Sequence, residues 1–172
     1  MAGKLPFFSK GTGKMNQTKN DIPLAKRKKA IDLLAPLLSD SSDLWLQCKQ
    51  AHWNVKGASF IALHELFDKV EADVEEYVDM IAERIVQLGG EAEGTVRSAA
   101  KHSRLKEYPL LAADGSKHVA ALSSAIASFT ALARPAIDDS DDAGDAITAD
   151  MLTEIVRGLD KWLWFVESHN VK

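Results

Sequence analysis

The sequence has little of what marks disulfide-stabilised or membrane-embedded proteins. It contains one cysteine, Cys48, which excludes a disulfide framework within the chain and suits a reducing cytoplasm. No apolar run approaches the length of a membrane span, and the first residues lack the apolar segment of a secretory signal. We therefore expect a cytoplasmic protein that does not associate with a membrane.

Strand patterns are missing as well, because Val, Ile and Thr nowhere alternate with polar residues over the length of a strand. With 172 residues, of which 46% are hydrophobic, the chain can form one domain with a substantial core. These features predict an all-α fold in a single globular unit.

Two long helices are predicted in the first half of the chain. The first covers residues 24–53, with Pro36 either kinking it or separating its first turns. The segment "NVKGAS" closes this helix, and Ser59 is the predicted N-cap of the next. The second helix covers residues 60–88, contains no Gly or Pro, and ends at Gly89.

The second half of the sequence predicts a long connection followed by two further long helices. The connection holds a short helix at residues 95–101, and a third long helix begins at about residue 114 or 116 and ends near Pro135. The acidic segment "DDSDDAGD" is a predicted turn, and a fourth long helix covers residues 146–168. Four long helices with one long crossover predict a four-helix bundle at residues 24–172.

Residues 1–23 are predicted to be a flexible basic tail, because positive charge is concentrated at this end. Residues 1–30 carry eight basic side chains and one acid, a net charge of +7, which leaves −11 for the rest of the chain. Such an arm can bind a polyanion, or it can be a solvated leader that only aids solubility. The basic side chains are Lys4, Lys10, Lys14, Lys19, Lys26, Arg27, Lys28 and Lys29.

The predicted second helix has two faces of different chemistry. At about 100° per residue, its large apolar side chains share one narrow sector, which must be the buried face. His64, Asp68, Asp79 and Glu83 lie roughly 140° away, so they point out of their own subunit's core. The apolar set is Leu63, Phe67, Val70, Val74, Ile81, Ile85 and Leu88.

His64 with Asp68, and Asp79 with Glu83, form two i, i+4 pairs that can each chelate a cation. They are separated by about 16 Å of helix, so one ion cannot bridge them within one chain. The pairs nevertheless lie on nearly the same line. A two-fold axis near Asp73 would place each pair opposite the other in an antiparallel dimer, giving two identical sites.

His52, near the end of the first helix, could add another nitrogen ligand to each site. Two imidazoles and three carboxylates suit Fe(II), with Zn(II) and Mn(II) as competitors. The alternative is an ordinary solvated helix face, since several other acids lie nearby. These acids are Glu65, Glu71, Glu75 and Glu76.

Three segments, "KQAHWNVKGASFIALHELFD", "VDMIAERIVQLGG" and "LDKWLWFVE", resemble the Dps proteins, the mini-ferritins known as DNA-binding proteins from starved cells. The resemblance covers roughly residues 26–167. The family's pattern is a His, then a His and an Asp one turn apart, then an Asp and a Glu one turn apart. Ferritins would instead carry Glu-x-x-His motifs, and this sequence has none. The matching positions are His52, His64, Asp68, Asp79 and Glu83.

The resemblance implies a ferritin-like four-helix subunit with a short helix in the crossover between helices two and three, assembled into a hollow dodecameric shell. It implies that iron is oxidised at sites shared across two-fold axes, preferably by hydrogen peroxide, and stored as a ferric mineral. It also implies sequence-independent binding of DNA in the nucleoid. Two alternatives are a chiefly structural, nucleoid-condensing protein and a peroxide-detoxifying shell without DNA binding.

Several further residues carry separate expectations. Trp53 adjoins His52 and is either an electron-transfer or radical-quenching residue or a packing residue. By resemblance, the acidic segment is a candidate iron-entry pore, with Asp142, Asp145 and Asp150 as its residues. The remaining expectations are a buried thiol at Cys48, core and interface anchors at Trp162 and Trp164, and surface positions for His102, His118 and His169.

Overall fold

The predicted all-helical architecture is confirmed. A computed structural model of the chain describes residues 15–110 and 114–170, and within them it has five helices and no strand. The helices are α1 (Leu24–Asn54), α2 (Phe60–Gln87), α3 (Val96–His102), α4 (Gly115–Asp142) and α5 (Ala146–Glu167).

The four long helices form a closed bundle. α1 packs against α2 and α4, while α5 packs against α2 and α4, and the short α3 lies in the crossover against α1. Short turns join α1 to α2 and α4 to α5, so each of these pairs is an antiparallel hairpin. This arrangement is the ferritin-like bundle with a short helix in the long crossover.

Pro36 does not separate the first turns of the first helix, and the helix end expected near Pro135 is wrong. α1 continues through Pro36 as one helix, and α4 continues seven residues past Pro135 to Asp142. A proline removes one backbone hydrogen bond, but residues 32 and 131, which lose their partners, are both exposed to water. Most of the acidic segment predicted as a turn is therefore the last part of α4.

The ends of α2 and the start of α4 show which of the predicted capping residues form hydrogen bonds. Gly89 ends α2 in the left-handed conformation with φ 89°, and the Gly90 amide donates to the Ile85 carbonyl at 2.9 Å. Ser59 is at the predicted N-cap position of α2, but its side chain accepts no capping hydrogen bond. Asp114 caps α4 by accepting from the Lys117 amide at 3.0 Å, and the Ser116 hydroxyl helps to lower the pKa of this carboxyl.

The crossover is fastened to α1 by polar contacts. The Asp40 carboxylate is fully buried and accepts from the Arg104 backbone amide at 2.7 Å and from the Arg104 guanidinium. Nearby, the Ser103 hydroxyl donates to Asp43 at 2.6 Å, and Gln47 donates to the Lys106 carbonyl at 3.0 Å. A chain segment without regular structure is thereby held in one position.

α4 corrects one expectation, because it is the one helix in the described part of the chain whose length and composition would allow it to cross a membrane. Its run of Ala, Ser and Thr between larger apolar residues contains few charges. The core helix of a bundle passes the same test, and four of the large apolar residues of α4 are buried in the bundle core. They are Val119, Leu122, Ile126 and Phe129.

The Asp40 contact yields a stability prediction. Replacing Asp40 with Ala leaves the Arg104 amide and part of its guanidinium without their acceptor, which should cost about 2 kcal/mol. In a chain of this size that corresponds to a melting temperature about 4–8 °C lower in a thermal unfolding scan. Asp32→Ala, an exposed acid on the same helix, is the control and should change the melting temperature little. Equal melting temperatures for the two variants would show that the crossover is held by other contacts.

Candidate metal centre

The prediction that α2 has a buried apolar face and an outward-facing polar face is confirmed. All seven residues of the predicted apolar face are buried, none being more than 3% exposed. On the opposite side, Asp68, Asp79 and Glu83 are exposed and His64 is half-buried. The candidate ligands of α2 therefore face away from the core of their own subunit.

Two imidazoles lie together where α1 ends and α2 begins. The rings of His52 and His64 are stacked, with their centroids 3.8 Å apart and their planes 22° apart. The Nδ1 atom of His52 is 3.0 Å from the His64 carbonyl oxygen, and the Nδ1 atom of His64 is 2.9 Å from the His52 carbonyl oxygen. The two residues thus hold each other in place through reciprocal bonds.

These bonds determine which nitrogen can bind a metal. A carbonyl oxygen only accepts, so each Nδ1 must carry the hydrogen that it donates. In the neutral ring the lone pair is then on Nε2, and an Nδ1–H bond to a backbone carbonyl is a common support for a metal-binding histidine. His52 and His64 are therefore prepared to donate Nε2 to a cation.

The carboxylates divide into two groups within one chain. Asp68 lies beside the imidazoles, with Oδ1 at 3.6 Å from the His52 Nδ1. Asp79 and Glu83 lie about three helical turns further along α2. No group of three or more His, Cys, Asp or Glu side chains able to hold a metal occurs within the described residues of a single chain. The donor set fits a divalent cation in composition, but one subunit does not bring its five members together.

A lysine is also present beside the candidate ligands. The Lys49 Nζ lies 2.7 Å from Glu71 and 3.4 Å from Asp68, and the hydrogen bond to Glu71 raises the pKa of this lysine. Under the alternative of an ordinary solvated face, Glu71 would be exposed, but this residue is only 6% exposed and accepts from the Trp45 Nε1 at 2.7 Å. The spacing offered one signal: Glu71 is three residues after Asp68, and Lys49 three before His52.

Trp53 is 64% exposed, so it is not packed in the core of its own subunit. It lies next to His52 in sequence, at the end of α1. Trp162, in contrast, is 7% exposed and donates to Asp73 at 2.7 Å, whereas Trp164 is 65% exposed. Of the two residues predicted as core and interface anchors, Trp162 therefore lies in the core, and Trp164 is exposed on the surface of the subunit.

The acidic segment gives a correction at Asp145. Its carboxylate is buried, pairs with the Arg84 guanidinium at 2.7 Å, and accepts from the Thr148 amide and hydroxyl at the start of α5. A side chain held in this way cannot line a pore, so Asp145 is a structural residue. Asp142 and Asp150 are exposed and keep their place as candidates.

The basic residues predicted to bind DNA differ in their exposure and contacts. Lys4, Lys10 and Lys14 lie outside the described residues, whereas Lys19, Lys26, Lys28 and Lys29 are exposed. The Arg27 guanidinium is occupied by the Ile22 and Leu88 carbonyls, each at 3.0 Å. The Asn16 amide donates to the Gly89 carbonyl at 2.8 Å, so the last part of the segment predicted as a tail contacts the bundle.

The expectations for the cysteine and for three histidines outside the centre have different outcomes. Cys48 is fully buried, as predicted. The surface position expected for His118 was wrong: it is 1% exposed, and its Nδ1 lies 2.6 Å from the Tyr108 hydroxyl, which anchors the end of the crossover. His102 is half-buried, and His169 is exposed as expected.

Comparisons with known proteins agree with this architecture. Residues 31–172 match the family model described as a ferritin-like domain. The chain is 44% identical over 156 residues to the DNA protection during starvation protein of Agrobacterium fabrum, covering 91% of this chain and 96% of that protein. It superposes on DpsC from Streptomyces coelicolor with a TM-score of 0.88 at 28% identity, covering 93% and 94% of the two chains. The corresponding values for Mycobacterium smegmatis Dps are 0.85, 32%, 91% and 89%.

The buried thiol gives a prediction about reactivity. Burial, followed by the nearby Glu71 charge, raises the pKa of Cys48, so the reactive thiolate is not populated at neutral or mildly alkaline pH. The folded protein at pH 8 should not react with an aromatic disulfide reagent, and one thiol per chain should react after unfolding in guanidinium chloride. Rapid labelling of the folded protein, read by absorbance, would contradict the buried position.

Proposed function

Because this chain belongs to the Dps family of ferritin-like proteins, we propose that it is a ferroxidase that oxidises Fe(II) and stores the product. The observation that carries the proposal is the reciprocal bonding of His52 and His64, which prepares two Nε2 atoms as ligands beside Asp68. Iron is here the substrate, and the residues that would hold it are His52, His64, Asp68, Asp79 and Glu83.

The proposed site is shared by two subunits. In an antiparallel two-fold dimer, His52, His64 and Asp68 of one chain would meet Asp79 and Glu83 of the partner. The exposure of all three carboxylates supports this arrangement, because exposed charged groups on a bundle remain available to a second chain. We propose that such dimers assemble into a hollow dodecamer, with Asp142 and Asp150 lining an entry route for cations.

The chemistry follows from the donor set. Anionic oxygens stabilise Fe(III) more than Fe(II), so the carboxylates favour loss of an electron from iron. Hydrogen peroxide is the proposed oxidant: one molecule takes one electron from each of two Fe(II) ions and, with two protons, becomes two molecules of water. No hydroxyl radical is released in this stoichiometry, and the Fe(III) would hydrolyse and collect as a mineral in the cavity. Trp53, beside His52, is a proposed electron donor that would quench stray radicals.

DNA binding is the second part of the proposal. The Agrobacterium fabrum relative is named for protecting DNA, and this chain carries exposed lysines at the start of α1 in addition to those that precede them in sequence. A body with net charge −11 repels DNA, so contact must come from the basic end. We propose sequence-independent binding to phosphates, in the cytoplasm and at the nucleoid.

Mixing two inactive variants tests the shared site. The variant with His64→Ala and Asp68→Ala and the variant with Asp79→Ala and Glu83→Ala should each lose rapid oxidation of Fe(II) by peroxide, followed as ferric absorbance. When the two are unfolded and reassembled together, each mixed dimer keeps one complete site. Random pairing should restore about a quarter of the native activity.

The control for this experiment is reassembly of each variant alone, which should remain inactive. The presence of mixed dimers is established separately by mass spectrometry with one variant isotopically labelled. Mixed dimers that form but show no oxidation would contradict a site made from both chains.

Two variants, each lacking three lysines from a different part of the basic end, test which residues bind DNA. A chain that begins at Met15 lacks Lys4, Lys10 and Lys14 but keeps the contact between Asn16 and Gly89. Gel retardation of DNA at low salt should be weakened in this truncation, and retardation by the full chain should fall steeply as salt is raised, because each phosphate contact releases counterions.

The matched variant for this test replaces Lys26, Lys28 and Lys29 with Gln and keeps the end of the chain. It removes the same number of charges from the start of α1, so the two proteins show which group binds DNA. Iron oxidation should be unchanged in both. An intact protein that fails to retard DNA at low salt would remove DNA binding from the proposal.

A further inference from the structure

α2 carries exposed apolar side chains near both of its ends. Among the residues that the structure describes on this helix, Phe60, Ile61 and Val86 are the large apolar side chains that remain exposed, with exposed fractions of 39%, 61% and 54%. Phe60 and Ile61 lie in the first turn of the helix and Val86 in the last. Single exposed apolar residues are ordinary on protein surfaces, so their positions must carry the argument.

Ile61 and Val86 point in the same direction as the candidate ligands. At about 100° per residue, the four candidate ligands of α2 span a sector of roughly 100° around the helix. Ile61 and Val86 each lie within about 10° of the middle of that sector. Phe60 lies about 90° from the middle, and its ring is instead 5.1 Å from the His64 ring. The outward face of α2 therefore has an apolar residue, the ligands and a second apolar residue in one line.

Ile61 and Val86 are also related by the symmetry that the ligands require. A two-fold axis that passes α2 midway between Asp73 and Val74 places the two ligand pairs opposite each other in antiparallel order. The same axis exchanges the position of Ile61 with that of Val86. The ligand pairs and the apolar pair therefore meet in one dimer, without a change in the rotation or register of either helix.

The surface around Val86 has space for an aliphatic side chain. An open groove of about 400 Å³ is lined there by Ala82, Glu83, Val86, Gln87 and Ala92. Three of these five residues are apolar, and one is a candidate ligand. A side chain such as that of isoleucine would cover Val86 and exclude water beside the Glu83 carboxylate.

We propose that Ile61 of each subunit packs into the groove at the partner's Val86, and that these two apolar contacts set the register of the shared metal centre. The inference rests on the proposed function and deepens it, because it names the contact that brings the two halves of the centre together. Without a cation, the carboxylates of Asp68 and the partner's Asp79 repel each other. The ligands therefore cannot hold the dimer before iron binds, whereas an apolar contact at each end of the face can.

A charge-exchange cycle in the full-length protein tests this contact. Ile61→Asp and Val86→Lys each place a charge against an apolar partner, so each should weaken the dimer about tenfold, as measured by native mass spectrometry over a dilution series. When both replacements are in one chain, every contact pairs an acid with a base, and most of the lost affinity should return. Losses that simply add in the combined variant would overturn the proposal.

Val96→Lys is the matched control for the exchange. Val96 is also an exposed valine, with an exposed fraction of 69%, but it lies on α3 and not on the ligand face of α2. Combined with Ile61→Asp, it adds the same charge and should restore no affinity. Equal recovery with Val96→Lys and Val86→Lys would reveal an effect of net charge alone and would overturn the proposal.

Cross-linking measures the same contact if the charged variants do not assemble. Ile61→Cys combined with Val86→Cys should give a covalent dimer with a short bis-maleimide, because each new thiol faces the other across the axis. Neither single variant should cross-link, since each position faces the other and not its own copy. Cys48 is fully buried and does not compete for the reagent. Covalent dimers from a single variant, or none from the double variant, would contradict the proposed register.

The experiment that mixes the two ligand variants separates this inference from the proposed function. If charge exchange restores the dimer but mixed dimers show no iron oxidation, the contact between Ile61 and the partner's Val86 stands and the shared metal centre does not. If mixing restores oxidation but charge exchange restores no affinity, the shared centre stands and its register is not set by these two residues.

Discussion

The apolar side of α2 must be buried, and the rest of the candidate centre depends on that constraint. Burying seven large side chains contributes on the order of 10 kcal/mol or more, far above what any arrangement of exposed charges could offset. The rotation of α2 about its axis is therefore fixed. His64, Asp68, Asp79 and Glu83 face outward as a consequence of the core, so a site built from them needs a second chain.

The buried apolar face of α2 also explains why the positions of the two imidazoles are held firmly within one subunit, whereas those of Asp79 and Glu83 are not. His52 and His64 lie at a hairpin whose two helices both pack into the core, and their Nδ1 atoms bond to backbone that the core holds in place. Asp79 and Glu83 are exposed on the surface of one subunit, away from the hairpin that holds the imidazoles. In the proposed centre, one subunit would supply the two imidazoles in fixed positions, and the partner would complete the ligand set.

Local chemistry and periodicity were enough to predict the helices, the buried face of α2 and the end at Gly89, because each depends on neighbours within a turn or two. The errors at Glu71 and Asp145 involve contacts between distant parts of the chain. Glu71 is buried by α1, and Asp145 by an ion pair with a residue 61 positions earlier. Helical periodicity gives the direction of a side chain but not the element that covers it, so residues at the edge of a face cannot be assigned from sequence.

The buried contact between Arg84 and Asp145 has a consequence for how mutations in the acidic segment should be interpreted. Arg84 directly follows Glu83 on α2, while Asp145 is the N-cap of α5 and closes the turn after α4. Removing Asp145 would leave a buried guanidinium without its counter-charge and disturb the backbone that carries Glu83. Slower iron oxidation in such a variant would then look like impaired entry of the ion although the entry route was intact. Of the three proposed entry residues, the exposed Asp142 and Asp150 are the ones whose replacement would test passage of the cation without disturbing the proposed site.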